Sequence, residues 1–267
     1  MAQPLTSIEP LLPLLRRRPF GLLSDIDGTL APIVPRPEDA AVPEETRALL
    51  RGLIGKGVRV ALITGRSLEA ARAMTGVEGA AFAAEHGLRL WIDGRLEAVP
   101  GLAEYEALAG QAQAELRQTE QQVPGVQVEN KGPLLAVHYR RAKEPRAARE
   151  AVLAAVGRSS AAQRFRLHEG RMVVELRPPL DVDKGTAALT LIERLGLRGA
   201  LALGDDITDI DMFAAVGRER AQGLAAVTVA VVSGEATPEL LRAADYSLEG
   251  TEGVRRLLGE MVRALPW

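Results

Sequence analysis

Two aspartates, Asp25 and Asp27, end an apolar run that begins at Gly21, and Gly28 and Thr29 follow at once. Side chains two apart on an extended chain point the same way, so both carboxylates can face one pocket. Like charges held close raise each other's pKa, and a divalent cation, a phosphoryl group or both would offset that cost. The plain alternative is a strand running into a turn, because Asp-Gly is a strong turn signal.

A carboxylate can attack phosphorus to form an aspartyl phosphate that water later hydrolyses. That chemistry needs a metal against carboxylate–dianion repulsion, a cation for the equatorial oxygens and an acid for the leaving alcohol. Asp25 is the candidate nucleophile and, with Asp205, a candidate Mg²⁺ ligand, since Mg²⁺ prefers hard oxygen donors. The backbone carbonyl of Asp27 is another candidate ligand. Its side chain, crowded by other acids, is expected to have a raised pKa suited to giving and taking a proton. Thr64 and the backbone after it, at Gly65, can bind phosphoryl oxygens where a helix begins. Lys184 opens a helical stretch and is the candidate cation, against the plain reading of an exposed lysine. Asp206 and Asp209 can hold the metal's waters or Lys184 in place. Either could instead cap the helix that starts at Ile210.

These residues need elements to position them. Short apolar runs at 21–24, 58–63, 80–84, 200–203 and 227–232 read as strands buried on both faces. Helical patterns separate them at 44–55, 68–74, 184–195, 209–216 and 238–243. The alternation implies βαβ units around a parallel sheet. Polar clusters follow the runs: Asp25/Asp27, Thr64-Gly65-Arg66, Glu85-His86-Gly87, Gly204-Asp205-Asp206 and Ser233-Gly234-Glu235. In open α/β sheets ligands bind beyond the carboxyl ends of the strands, so these clusters are expected to converge. The middle of the chain differs in character. A long Ala/Glu/Gln-rich helix is predicted over 102–122 and a second over 145–157, with strands at 126–130, 134–139, 164–168 and 172–177. That pattern suggests a small α+β insertion, mostly antiparallel, leaving through Pro178-Pro179. The expected division is 1–100 with 182–267 for the core and 101–181 for the insertion.

Composition narrows the function classes. The 267 residues are 47% hydrophobic but only 3% aromatic, so Leu, Val, Ala and Ile must build the core. A formal net charge of -2 argues against a nucleic-acid binder that relies on backbone electrostatics. The absence of cysteine excludes disulfides, thiolate zinc sites and cysteine-based phosphatase chemistry. The Leu11–Leu15 stretch is too short for a membrane span, and its arginines follow it, the wrong side for a signal peptide. Arg16-Arg17-Arg18 reads as a solvated helix end. The expectation is a cytoplasmic protein that binds neither membrane nor nucleic acid.

Asp25-Ile-Asp-Gly-Thr29, Thr64-Gly-Arg66, Lys184-Gly185 and Gly204-Asp-Asp-Ile-Thr-Asp209 resemble the four ordered motifs of haloacid-dehalogenase (HAD) superfamily phosphatases. Further residues narrow the resemblance to the superfamily's trehalose-6-phosphate phosphatases. They are Leu30-Ala-Pro-Ile-Val34, Glu85-His-Gly87, Asn130-Lys131, His138-Tyr-Arg140 and Glu175-Leu-Arg-Pro178. The resemblance implies a HAD-like Rossmannoid α/β core, its parallel sheet flanked by helices, with a smaller inserted α+β cap. It implies an Mg²⁺-dependent hydrolase releasing trehalose and phosphate from trehalose 6-phosphate, a small-molecule sugar-phosphate substrate. A monomer is expected, though the sequence itself does not fix the oligomeric state. By the same resemblance Lys131, His138, Arg140 and Glu175 meet the sugar from the cap, while Gly65, Arg66, Glu85 and His86 contribute substrate contacts from the core.

Bland readings stand beside these. Glu175 and Arg177 could form a same-face ion pair, His138 could be a core histidine, and His168 matches no part of the family pattern. Ile210 stands where relatives usually carry an acid, and Val182 where many carry an aromatic. The same chemistry could serve sucrose 6-phosphate, glucosylglycerol phosphate or mannosyl-3-phosphoglycerate. A sugar phosphomutase would also begin from an aspartyl phosphate. A catalytically dead regulatory domain would have lost a carboxylate, and none is missing here.

Overall fold

Alternating side chains along each central strand feed two separate hydrophobic layers. In the computed structural model, which describes residues 1–170, 172–234 and 237–265, the strands are β1 (Gln3–Pro4), β2 (Phe20–Ser24), β3 (Arg59–Ile63), β4 (Ala81–Ala84), β5 (Arg89–Ile92), β6 (Arg95–Ala98), β7 (Gln127–Asn130), β8 (Leu135–His138), β9 (Arg166–Gly170), β10 (Val173–Arg177), β11 (Gly199–Gly204), β12 (Ala225–Val232) and β13 (Tyr246–Glu249). Leu22, Val60, Leu62, Leu201, Leu203, Val229 and Val231 pack into one layer. Their neighbours Leu23, Ala61, Ile63, Ala200, Ala202 and Ala230 pack into the other. Period-two alternation places both sets inside, which is why these strands read as unbroken apolar runs.

The chain divides into two units, 1–97 with 182–267 and 98–181. In the first, the described strands form one sheet in the order β1-β13-β12-β11-β2-β3-β4-β5-β6. Pairing is parallel from β1 through β4, and β4–β5 is antiparallel. Helices Glu44–Gly55, Leu68–Thr75 and Gly250–Ala264 supply Leu50, Leu53, Met74, Leu257 and Leu258 to one layer. Helices Lys184–Arg194, Asp209–Ala221 and Pro238–Ala243 supply Leu191, Phe213, Val216 and Leu240 to the other. Each such fully buried apolar side chain stabilises the fold by about 1.5–3 kcal/mol. This is an α/β fold with a mostly parallel sheet covered on both faces.

The second unit carries an antiparallel sheet in the order β7-β8-β10-β9. Helices Leu102–Gln122 and Pro145–Arg158 cover one face, with Leu116, Val128, Leu135, Val137, Val152, Val174 and Leu176 between. Tyr105 meets Phe165 edge-on at 5.5 Å between ring centroids. The opposite face carries Glu129, His138 and Glu175, the alternate positions of the same strands.

Strands β2, β3, β4, β7, β8, β9, β10, β11 and β12 lie close to the runs read from the sequence, β1, β5, β6 and β13 were not among them, and helices 44–55, 102–122 and 238–243 keep the boundaries read from the sequence. Arg16 caps the short Leu12–Leu15 helix, and Arg16, Arg17 and Arg18 are exposed. Glu235 of the last polar cluster lies outside the described residues. Among the described residues no helix is long and apolar enough to cross a membrane.

Candidate active site

Parallel register brings the polar ends of β2, β3, β4 and β11 to one edge of the sheet. Leu203 pairs with Ser24 and Ser24 with Leu62, so the next residues of neighbouring strands emerge together. Asp25 N donates to Leu203 O at 2.9 Å, which seats Asp25 beside the end of β11. Gly28, at φ +80°, lies against Asp205, and any Cβ there would collide with the Asp205 carboxylate. Only glycine accepts both the left-handed backbone and that approach.

Lys184 is the charge at the centre. Its helix starts abruptly, because Asp183 and Thr186 form a reciprocal capping box. From the first helical position Lys184 Nζ donates to Asp25 Oδ1 at 2.7 Å and to Asp209 Oδ1 at 2.8 Å. All three side chains are buried, so the plain reading of Lys184 as an exposed lysine does not hold. The other oxygen of Asp209 accepts from the backbone N–H groups of Asp205 and Asp206, both at 3.1 Å. Asp209 therefore orients both Lys184 and the Asp205 loop, and its carboxylate is fully engaged.

Carboxylate oxygens of Asp25, Asp205 and Asp209 lie within 4.8 Å of one another. Burial pushes the Asp25 carboxyl well above the usual range; Lys184 opposes this, while Asp209 and Asp205 add to it. Burial and then Asp209 push Asp205 up to about 7. Burial works against the Lys184 ammonium, but Asp209 and Asp25 outweigh it and raise its pKa. Three acids thus share one lysine. The donor set is all hard oxygen and carries surplus negative charge, and a divalent cation fits both features. Thr29 Oγ1 donates to Asp205 Oδ1 at a long 3.4 Å. Asp206 is exposed and enters this network through its backbone N–H.

Asp27 departs from the sequence reading. Its carboxylate is held by a cation; Arg66 Nε and Nη2 bind its two oxygens at 2.7 Å each. Acid crowding falls on Asp25 and Asp205, while the chain after β2 turns Asp27 toward the β3 loop. Sequence spacing alone could not show that Asp25 and Asp27 take different cationic partners.

The β3 loop runs into a capped helix start. Thr64 is buried, and its Oγ1 accepts from Arg66 N at 3.1 Å. Ser67 caps the Leu68–Thr75 helix, its Oγ accepting from Ala70 N at 3.3 Å. Backbone N–H groups at such a helix start favour negative charge. The turn after β4 lies against this loop. Glu85 and His86 both have left-handed backbones, at φ 48° and 61°. Such conformations cost of order 1–3 kcal/mol each and tend to cluster at functional sites. His86 is half-buried with its ring against Gly65, and the Glu85 side chain is buried and faces the loop.

In the second unit, the sequence-derived residues share the polar sheet face. His138 Nε2 lies 2.8 Å from Glu129 Oε2, so His138 is neither a core histidine nor unpaired. Lys131 Nζ lies 3.7 Å from Glu129 Oε2 and 4.0 Å from Glu175 Oε1. Arg177 donates to Glu175, with Nε at 2.9 Å, so the ion pair expected as the bland reading is present. Arg140 lies past the end of β8 and is exposed. Glu129 went unnoticed in the sequence, and His168 was set aside as outside the family pattern. Strand register sets His168 directly opposite Glu175, and burial followed by Arg177 lowers its pKa.

Comparison with known proteins places this geometry. The sequence model described as trehalose-phosphatase matches residues 23–247, which span both units. Trehalose-phosphate phosphatase of Mycolicibacterium paratuberculosis is 36% identical over 247 residues, covering 90% of this chain and 62% of the relative. The Mycobacterium tuberculosis protein of the same name is 37% identical over 210 residues, covering 76% of this chain and 53% of the relative. The chain therefore spans little more than half the length of these relatives. The C-terminal domain of Candida albicans trehalose-6-phosphate phosphatase shares the fold, with a TM-score of 0.80, 23% identity and 98% of each chain covered. With the four motifs at one sheet edge and the family model matching across both units, this chain belongs to the trehalose-phosphatase family of HAD-like hydrolases.

Proposed function

We propose that this chain hydrolyses trehalose 6-phosphate to trehalose and phosphate through an aspartyl phosphate on Asp25, with Mg²⁺ as cofactor. The observation that carries the reading is Lys184 bridging buried Asp25 and Asp209, beside Asp205. Asp25, Asp205 and the Asp27 carbonyl would hold the ion, which when bound offsets repulsion between carboxylate and phosphoryl dianion.

The protein's own groups account for the rest. Asp25 attacks phosphorus; its O–P bond forms as the bond from phosphorus to the sugar oxygen breaks. Asp27 gives the departing sugar oxygen its proton, then takes one from the water that attacks the aspartyl phosphate. That second attack frees phosphate and restores Asp25. Thr64 and the backbone at Gly65 hold the phosphoryl oxygens, and Lys184 offsets their growing charge. Arg66 grips Asp27, so substrate must draw Arg66 onto the phosphoryl group or the sugar before Asp27 can act.

We assign sugar recognition to the polar face of the four-stranded sheet, through Lys131, His138, Glu175 and, beyond the strand, Arg140. Its carboxylates and cations already hold one another, so a polyhydroxyl ligand meets oriented donors and acceptors. The other sugar phosphates named above would use the same core and differ at this face. Rapid-quench trapping of phosphoprotein from labelled trehalose 6-phosphate tests the assignment. Label retained on wild type and absent from Asp25→Asn supports it; equal labelling of the two would remove Asp25 from the nucleophile role.

A further inference from the structure

Family resemblance would make Glu85 a sugar contact, yet its surroundings point elsewhere. The residue is 1% exposed. Its Oε1 accepts from Leu68 N at 3.1 Å and lies 3.3 Å from Arg89 Nη1. Its Oε2 is buried with no hydrogen-bond partner among the described residues. Leu68 is the first residue of the helix that follows the Thr64–Ser67 loop.

The same turn holds the loop at two more points. Glu85 N donates to Arg66 O and His86 N to Thr64 O, both at 2.9 Å. The His86 ring covers Gly65, where a Cβ would lie 2.6 Å from Nε2. Carbonyls of the loop are thus tied back toward the turn after β4, and the first N–H of the helix is tied to the Glu85 carboxylate.

Stability alone explains this arrangement poorly. A buried carboxylate with one oxygen unpaired costs free energy, as do left-handed backbones at Glu85 and His86. Burial raises the Glu85 pKa, and Arg89 and the Leu68 N–H only partly oppose it. An apolar side chain would avoid the desolvation but would leave Leu68 N without its acceptor.

We propose that Glu85 is a positioning residue: it fixes the backbone of the phosphate-binding loop through Leu68 and does not contact the sugar. The proposal rests on the phosphatase reading above. Because it acts on the phosphoryl subsite, its removal is felt by every phosphate ester alike, sugar or not.

The test compares trehalose 6-phosphate with a small aryl phosphate and also measures affinity for inorganic phosphate by calorimetry. Glu85→Ala should lower kcat/KM for both esters by the same factor, about 10- to 100-fold, since misplacement by about 1 Å can cost roughly 100-fold. Phosphate affinity should weaken as well, and Glu85→Gln, which keeps an acceptor for Leu68 N, should recover most of the loss. Leu68→Pro removes the same N–H at a helix position where proline is tolerated. It should reproduce the Glu85→Ala effect on both esters, and adding it to Glu85→Ala should cost nothing further.

A loss confined to trehalose 6-phosphate, with aryl phosphate and inorganic phosphate unaffected, would make Glu85 a sugar contact and overturn the proposal. If Glu85→Ala does not fold, Leu68→Pro carries the decision, and unchanged turnover of both esters would overturn it too. Wild-type protein that hydrolyses neither ester would defeat the phosphatase reading instead. Phosphate affinity would then still judge Glu85, and an unchanged value in both variants would sink its positioning role.

Discussion

Arg66 and Asp27, 39 positions apart, form a fork-to-fork pair, with Nε and Nη2 each 2.7 Å from a different carboxylate oxygen. The proposed proton carrier is therefore tied to the residue that follows the proposed phosphate-binding backbone. In the proposed reaction an anion that attracts Arg66 would also loosen Asp27, which would couple occupancy of the phosphoryl site to release of the acid.

Arg66→Lys keeps the charge but loses the planar fork. Charge-assisted hydrogen bonds contribute about 1.5–3 kcal/mol, so kcat/KM should fall roughly 10- to 100-fold. The pair is partly exposed, so thermal stability should change little. Steady-state kinetics with a melting curve would check both, and unchanged kinetics would remove Arg66 from the reaction.

Lys184→Met should abolish turnover and also destabilise the fold. It leaves Asp25 and Asp209 buried without their shared cation. Removing one partner from a buried pair costs about 3–5 kcal/mol. Chemical denaturation would show a lower midpoint with an unchanged slope, and Mg²⁺ should recover part of the loss by replacing positive charge at the cluster.

Metal binding and pH should be linked. Burial and Asp209 push Asp205 up to about 7 in the folded chain, against 3.8 as its ordinary value. Between those values the folded state holds a proton that the unfolded state has lost, so in EDTA this group makes stability fall as pH rises. A cation displaces that proton, and the melting shift caused by Mg²⁺ should grow from pH 5 to pH 8. Melting curves with Mg²⁺ and with EDTA across that range are the check; a shift that shrinks with pH would contradict the acidic cluster as the binding site.

Much of this was legible in the sequence because parallel strands bury both faces and stop abruptly where function begins. Leu22-Leu23 and Ala61-Leu62-Ile63 read as strands from composition alone, and the acids after them mark the carboxyl edge. Pairings were harder to read. That Asp27 faces Arg66 while Asp25 faces Lys184 depends on strand order, which local patterns do not encode. Glu85 read as a substrate contact because its motif is polar; its burial follows from the left-handed turn after β4. The β5–β6 hairpin is short and partly exposed, and its strands were overlooked although β5 carries Leu90, Trp91 and Ile92. Helix Gly250–Ala264 has a clear apolar stripe at Val254, Leu257, Leu258 and Met261, and that stripe was overlooked.

Glu175→Ala separates the two halves of the account. It removes the carboxylate that Arg177 and Lys131 share on the polar sheet face. The kcat/KM for trehalose 6-phosphate should fall by roughly 10- to 100-fold, as for a charged hydrogen-bonding partner, while an aryl phosphate stays within about threefold of wild type. Equal loss on both would move Glu175 out of sugar recognition.

The most direct measurement is phosphate release from trehalose 6-phosphate, with sucrose, glucose and glucosylglycerol phosphates alongside, in Mg²⁺ and in EDTA. The account predicts a strong preference for trehalose 6-phosphate that disappears in EDTA. Better turnover of another sugar phosphate would overturn the assignment of the polar sheet face, and no release from any of them would contradict the phosphatase itself.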